Sequence, residues 1–115
     1  MKTIGLIGGM SWESTAIYYR LLNQMARERL GGLHSAQLLL WSFDFAEIES
    51  LQAAGDWAAA TEAMVAAAWR LERGGADCIV ICSNTMHKMA GDVQAAVGIP
   101  LIHIGDVTAA AIREA

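Results

Sequence analysis

The chain alternates short apolar runs with longer amphipathic ones, and the two periods predict different elements. Thr3 to Ile7 is an apolar run closed by Gly8-Gly9, which reads as a β-strand with its stop signal. From Ser14 to Leu30, Ile17, Tyr18, Leu21, Leu22, Met25 and Leu30 recur close to the spacing of one helix face, and Gly31-Gly32 ends the run. Ala36 to Trp41 is apolar nearly throughout, which predicts a strand covered on both faces. Phe45 to Ala54 predicts a short helix stopped at Gly55, and Asp56 is placed to cap a long alanine-rich helix reaching Arg73. After Gly74-Gly75 come a strand over Asp77 to Cys82, a helix over roughly Met86 to Val97 and a strand over Pro100 to Ile104. Gly105-Asp106 then opens a last helix.

Strands that alternate with helices pair in parallel through right-handed crossovers. The order therefore predicts an α/β three-layer sandwich around a four-stranded parallel sheet. No internal repeat, low-complexity segment or linker divides it, and 115 residues suffice for one domain with a real core.

Composition narrows the class of partner. The chain is 55% hydrophobic and 17% charged, as suits a buried α/β layer and not a disordered segment. A net charge of -4 without a Lys/Arg cluster argues against nucleic acid or an anionic membrane. No apolar run approaches the ~18 residues that span a bilayer. The short start, ending in glycines, reads as a first strand and not a signal peptide, so the expected location is the cytoplasm.

In open parallel sheets ligands bind beyond the carboxyl ends of the strands. Four loops fall there: Gly8 to Trp12, Ser42 to Asp44, Cys82 to Thr85 and His103 to Asp106. Three carry small polar residues in the turn into a helix, an arrangement that suits an anion such as a carboxylate or phosphate. The first loop is not a dinucleotide fingerprint, because Met10 and Glu13 stand where glycines are required; its Gly pair signals close approach by a ligand or by a neighbouring loop. Cys78 and Cys82 lie on one strand, roughly 13 Å apart at ~3.3 Å per residue. That excludes both a disulfide and shared zinc ligation.

Cys82 ends its strand just before a helix N-terminus, in a field that favours thiolate. The competing reading is a small structural hydrophobe, which suits Cys78. His87, in the first turn of the helix after Cys82, and His103, at a strand end, are further candidates, while His34 reads as solvated in a Gly-rich turn. Asp44 and Asp106 read as helix caps. Trp41, Trp57 and Trp69 read as packing, Trp12 as a wall of the site, and Met25, Met64 and Met89 as core.

Three segments carry a family resemblance: Gly5-Leu6-Ile7-Gly8-Gly9-Met10-Ser11-Trp12-Glu13-Ser14-Thr15, Gly31-Gly32-Leu33-His34-Ser35-Ala36, and Cys82-Ser83-Asn84-Thr85-Met86-His87-Lys88. At this mutual spacing the chain resembles the aspartate/glutamate racemase family, nearest to its broad-specificity amino-acid racemases. The resemblance implies a cofactor-independent isomerase of two similar α/β lobes. One acid/base residue from each lobe, usually cysteine, flanks the substrate in the cleft between them. Carried over by position, Cys82 is the first-lobe acid/base. Ser83, Asn84 and Thr85 form the carboxylate-binding turn, with Ser83 standing where relatives have threonine, and Met10 and Gln52 line the pocket. No metal is implied.

Family chains are about twice this length. The resemblance thus makes residues 1–115 an N-terminal lobe without its second half, where a second cysteine and a substrate-contacting lysine would lie. One lobe cannot present acid and base to opposite faces, so this chain alone is expected to be inactive. Pairing of two copies as a homodimer, with Cys82 of each across a shared cleft, is one way to complete the device. A module that binds an amino acid or dicarboxylate without turnover is the alternative, as is a related cysteine-pair isomerase or decarboxylase.

Overall fold

The computed structural model describes residues 1–83 and 88–102. In chain order the elements are β1 (Ile4–Gly8), α1 (Trp12–Leu30), β2 (Leu38–Ser42), α2 (Phe45–Ala53), α3 (Trp57–Arg73), β3 (Cys78–Ile81), α4 (Ala90–Ala96) and β4 (Leu101–Ile102). The strands form one parallel sheet in the order β2-β1-β3-β4.

The period-2 alternation of the strands sends side chains to two cores. Leu6, Val80 and Cys82 face Leu22 of α1, with Tyr18 and Met25 packed beside them. Ile7, Ile79 and Ile81 face the other way, against Met64, Ala67, Ala68 and Leu71 of α3, Ile48 of α2 and Val93 of α4. The sheet is thus sandwiched between helical layers. The alanines explain how α3 lies so close to the strands: Ala60, Ala67 and Ala68 are fully buried and hold no bulk between helix and sheet. Chain reversals on the way from β1 to β2 and from β3 to β4 step in opposite directions, and α1 and α4 accordingly lie on opposite faces, as a common crossover hand requires.

Several boundaries differ from the sequence expectation, each for a local reason. α1 begins at Trp12, two residues early, because Ser11 caps it by accepting from the Ser14 N–H at 3.4 Å. Asp77 stands before β3 and clamps the chain start instead: its carboxylate accepts from Thr3 N at 2.8 Å, and its own N–H donates to Thr3 O at 2.7 Å. Cys78 consequently opens the strand. β2 is not covered on both faces. It is an edge strand, and Leu40 is exposed. Residues 90–96 form α4; the start expected at Met86 and the last helix lie outside the described residues. The caps expected at Asp44 and Asp56 are present, at 3.1 Å from Ala46 N and Ala59 N. Among the described residues, no helix is long and apolar enough to cross a membrane.

Candidate functional site

The strand order makes one position special. β1 continues outward to β2, whereas β3 continues outward to β4 in the opposite direction. The connections leaving the carboxyl ends of β1 and β3 therefore part from each other and open a crevice between two neighbouring strands. Into this crevice run the two loops that the sequence singled out most strongly, Gly8-Gly9-Met10-Ser11 and Cys82-Ser83. At their base the β1–β3 pairing runs on by one bond, in which Cys82 N–H donates to Ile7 O at 2.9 Å.

The first loop is held by its own chain. Gly9 adopts φ +84, and a Cβ there would collide with the backbone of Phe43; a Cβ on Gly8 would lie 2.6 Å from Thr15. Phe43 N–H donates to Gly8 O at 2.9 Å, Gly9 N–H donates to Thr15 Oγ1 at 3.0 Å, and Thr15 Oγ1 donates to Ser11 O at 3.3 Å. The close approach that the glycine pair signals is therefore made by the neighbouring β2–α2 loop. This turn holds Met10 buried in the core on the α3 side of the sheet, the face opposite the one that buries Cys82. Beside it Met10, Ser11, Trp12, Glu13 and Phe45 line a cleft of about 270 Å³. Trp12 is 67% exposed and lines this cleft.

Cys82 departs from expectation in its electrostatics. The residue is fully buried among Leu6, Leu22 and Val80, with Tyr18 and Ile102 against the same cluster. Burial removes water from the charged form and pushes the thiol up from 9.0 to about 12. The expected thiolate-favouring field is outweighed, and at neutral pH Cys82 holds its proton. The phenol of Tyr18 is also raised, first by burial and then by the charge a Cys82 thiolate would carry beside it. Neither cysteine forms a disulfide, as their spacing requires.

The remaining candidates divide. Ser83 follows Cys82 at the crevice, half-buried. Gln52 lies in the last turn of α2, half-buried, beside Leu51, which packs on the α3 core. Asn84, Thr85, His87, His103 and Asp106 lie outside the described residues. His34 is exposed in the turn after α1, as expected. Of the three packing tryptophans, Trp41 stacks under Arg70 at 4.2 Å. Trp69 is half-exposed and ties α3 to α4 through a 2.7 Å donation to Ala96 O. Trp57 carries Lys88 over its ring at 3.0 Å. Lys88, part of the Cys82 motif, is thus engaged by the start of α3, a role that spacing along the chain does not reveal. Phe45 of the cleft was likewise missed, since only the β1–β2 register brings it beside Met10.

Comparison with known proteins bears on the family and the fold. A family model described as Asp/Glu/Hydantoin racemase matches residues 7–115. A crystal structure of a proposed Asp/Glu racemase from Yersinia pestis is similar over 99% of this chain, at 57% identity and a TM-score of 0.89. One of an aspartate racemase homologue from Pyrococcus horikoshii is similar over 99%, at 35% identity and a TM-score of 0.84. In each case the chain covers 50% of the other protein, so it spans about half the length of these relatives.

Proposed function

Because this chain belongs to the Asp/Glu/Hydantoin racemase family, we propose that it is one lobe of an amino-acid racemase that works without a cofactor. Cys82 is the acid/base at one face of the substrate Cα. The observation that supports this reading is that the neighbouring strands β1 and β3 end side by side where the sheet's connections part, with the Gly8-Gly9-Met10 turn at the end of one and Cys82 at the end of the other.

Inverting a stereocentre requires a base on one side and an acid on the other, with the roles exchanged in the reverse reaction. A thiol held in its protonated form by burial is suited to the donating half of that pair. The accepting half is a thiolate of a second lobe, across the cleft. The substrate carboxylate is held by Ser83, Asn84 and Thr85, whose donors also stabilise the enolate-like charge formed when Cα loses its proton. Met10 and Gln52 line the same pocket. A single lobe offers only one face of this arrangement, so the 115-residue chain binds an amino acid or dicarboxylate without turning it over.

The test joins residues 1–115 to the remaining half of the Yersinia pestis protein and measures L/D interconversion across a panel of amino acids. The chain alone is expected to be inactive and the chimera active. Cys82→Ala is expected to lower the chimera's rate by roughly 10²–10⁴, the usual contribution of a positioned acid/base. A folded chimera that racemises equally well with alanine at this position overturns the proposal.

A further inference from the structure

At a distance along α1 from the crevice, the fold assembles a cationic groove that the sequence does not display. Arg20, Arg27 and His34 are spread over fifteen positions of a chain whose net charge is -4. α1 and the turn that follows it bring all three to one groove of about 400 Å³, lined also by Tyr19, Asn23, Gln24 and Ser35 and, among the described residues, by no acidic side chain.

The two arginines lie seven positions apart, hence on the same helix face and roughly 10 Å apart along its axis. Surface arginines on helices ordinarily pair with a carboxylate three or four positions away. Here those positions hold Ala16, Ile17, Asn23 and Gln24 for Arg20, and Asn23, Gln24, Leu30 and Gly31 for Arg27. The helix therefore offers neither guanidinium an intrahelical partner. Arg27 in the last turn also suits the negative end of the helix dipole, but Arg20 is mid-helix and gains nothing from it.

The groove wall is fixed in advance. Asn23 uses both ends of its amide, donating to Tyr19 O at 2.8 Å and accepting from Ala36 N at 2.9 Å. This pins the returning chain to α1. Gly31 N–H donates to Arg27 O at 2.8 Å and His34 N–H to Gly31 O at 3.2 Å, so the turn that presents His34 and Ser35 is closed on the helix end.

We propose that this groove binds a compact multivalent oxyanion, of the phosphate or polycarboxylate class, between Arg20 and Arg27, with His34 and Ser35 as further donors. Guanidinium groups suit such anions because their planar forks donate two parallel hydrogen bonds at once. The site is distinct from the Cys82 crevice and does not depend on the racemase reading.

The test is amide chemical-shift mapping of the ¹⁵N-labelled 115-residue chain titrated with pyrophosphate and, separately, with citrate, with glycerol as the neutral control. The expected result is saturable shifts at Asn23, His34 and Ser35 with one or both anions and none with glycerol. Affinity should weaken at least tenfold in the double variant Arg20→Gln, Arg27→Gln. Both substituted positions are exposed, so the variant is expected to keep the wild-type spectrum elsewhere; Arg27→Lys, which keeps the charge but loses the fork, should retain partial binding. Pyrophosphate binding alone places the ligand among phosphates, and citrate binding alone among polycarboxylates. Absence of saturable shifts with either anion, shifts confined to residues 8–11 and 82–83, or undiminished affinity in the double variant would each overturn the proposal.

Discussion

Burial of Cys82 makes a quantitative statement about its reactivity. Only the thiolate attacks an alkylating reagent. With the thiol pushed from 9.0 up to about 12, the reactive fraction at pH 7 falls from roughly 1 in 100 to roughly 1 in 100,000, a tenfold loss for each unit. Zero exposure of the side chain adds a steric barrier in the same direction. Iodoacetamide labelling followed by intact mass, in a Cys78→Ser background so that one thiol remains, should therefore run about a thousandfold or more slower than labelling of the urea-unfolded chain at the same pH. The folded rate should keep climbing past pH 10, where an ordinary thiol has levelled off. Labelling at pH 7 within tenfold of the unfolded rate, or a plateau near pH 9, would refute the burial argument.

The same shift predicts an alkaline loss of stability. A raised thiol value favours the protonated folded form, so its contribution is complete below pH 9 and declines as pH rises from 9 toward 12. The slope is about 1.4 kcal/mol per pH unit, read from urea midpoints and flattened in Cys82→Ala; Tyr18, also raised, steepens the fall. Met64→Ala, at a fully buried position of α3, should cost about 2–5 kcal/mol in the same urea assay, and a loss below 1 would show that the α3 core is not packed as described. Gly9→Ala forces a side chain into the Phe43 backbone at positive φ. It should lower the thermal midpoint more than Gly55→Ala, also at positive φ but in open space, and the reverse order would contradict the turn's geometry.

The fold was largely legible because period and punctuation agree. Apolar runs bounded by glycine pairs mark the strands, and Asp44 and Asp56 mark helix starts through hydrogen bonds that a sequence can announce. Edge position was not legible: the apolar run of β2 resembles a central strand, and only the order β2-β1-β3-β4 leaves Leu40 exposed. For the candidate site, the placement of Cys82 at a strand's carboxyl end could be read from the pattern. Its protonation could not, because the competition between a helix-end field and desolvation turns on Leu6, Leu22 and Val80, which reach the thiol from three separate elements. Lys88 over Trp57 and the Arg20–Arg27–His34 groove were hidden for the same reason. Each joins residues whose proximity arises only when helices and loops fold back on one another.

The most direct test of the proposed role of Cys82 uses the two-lobed chimera carrying Cys82→Ala, incubated in D₂O with each enantiomer of an amino acid that the unsubstituted chimera racemises. If Cys82 serves one face of Cα and the second lobe the other, interconversion is lost. α-Deuterium exchange then survives, with retention, for one enantiomer only. Interconversion at the unsubstituted rate, or equal exchange into both enantiomers, would contradict the account.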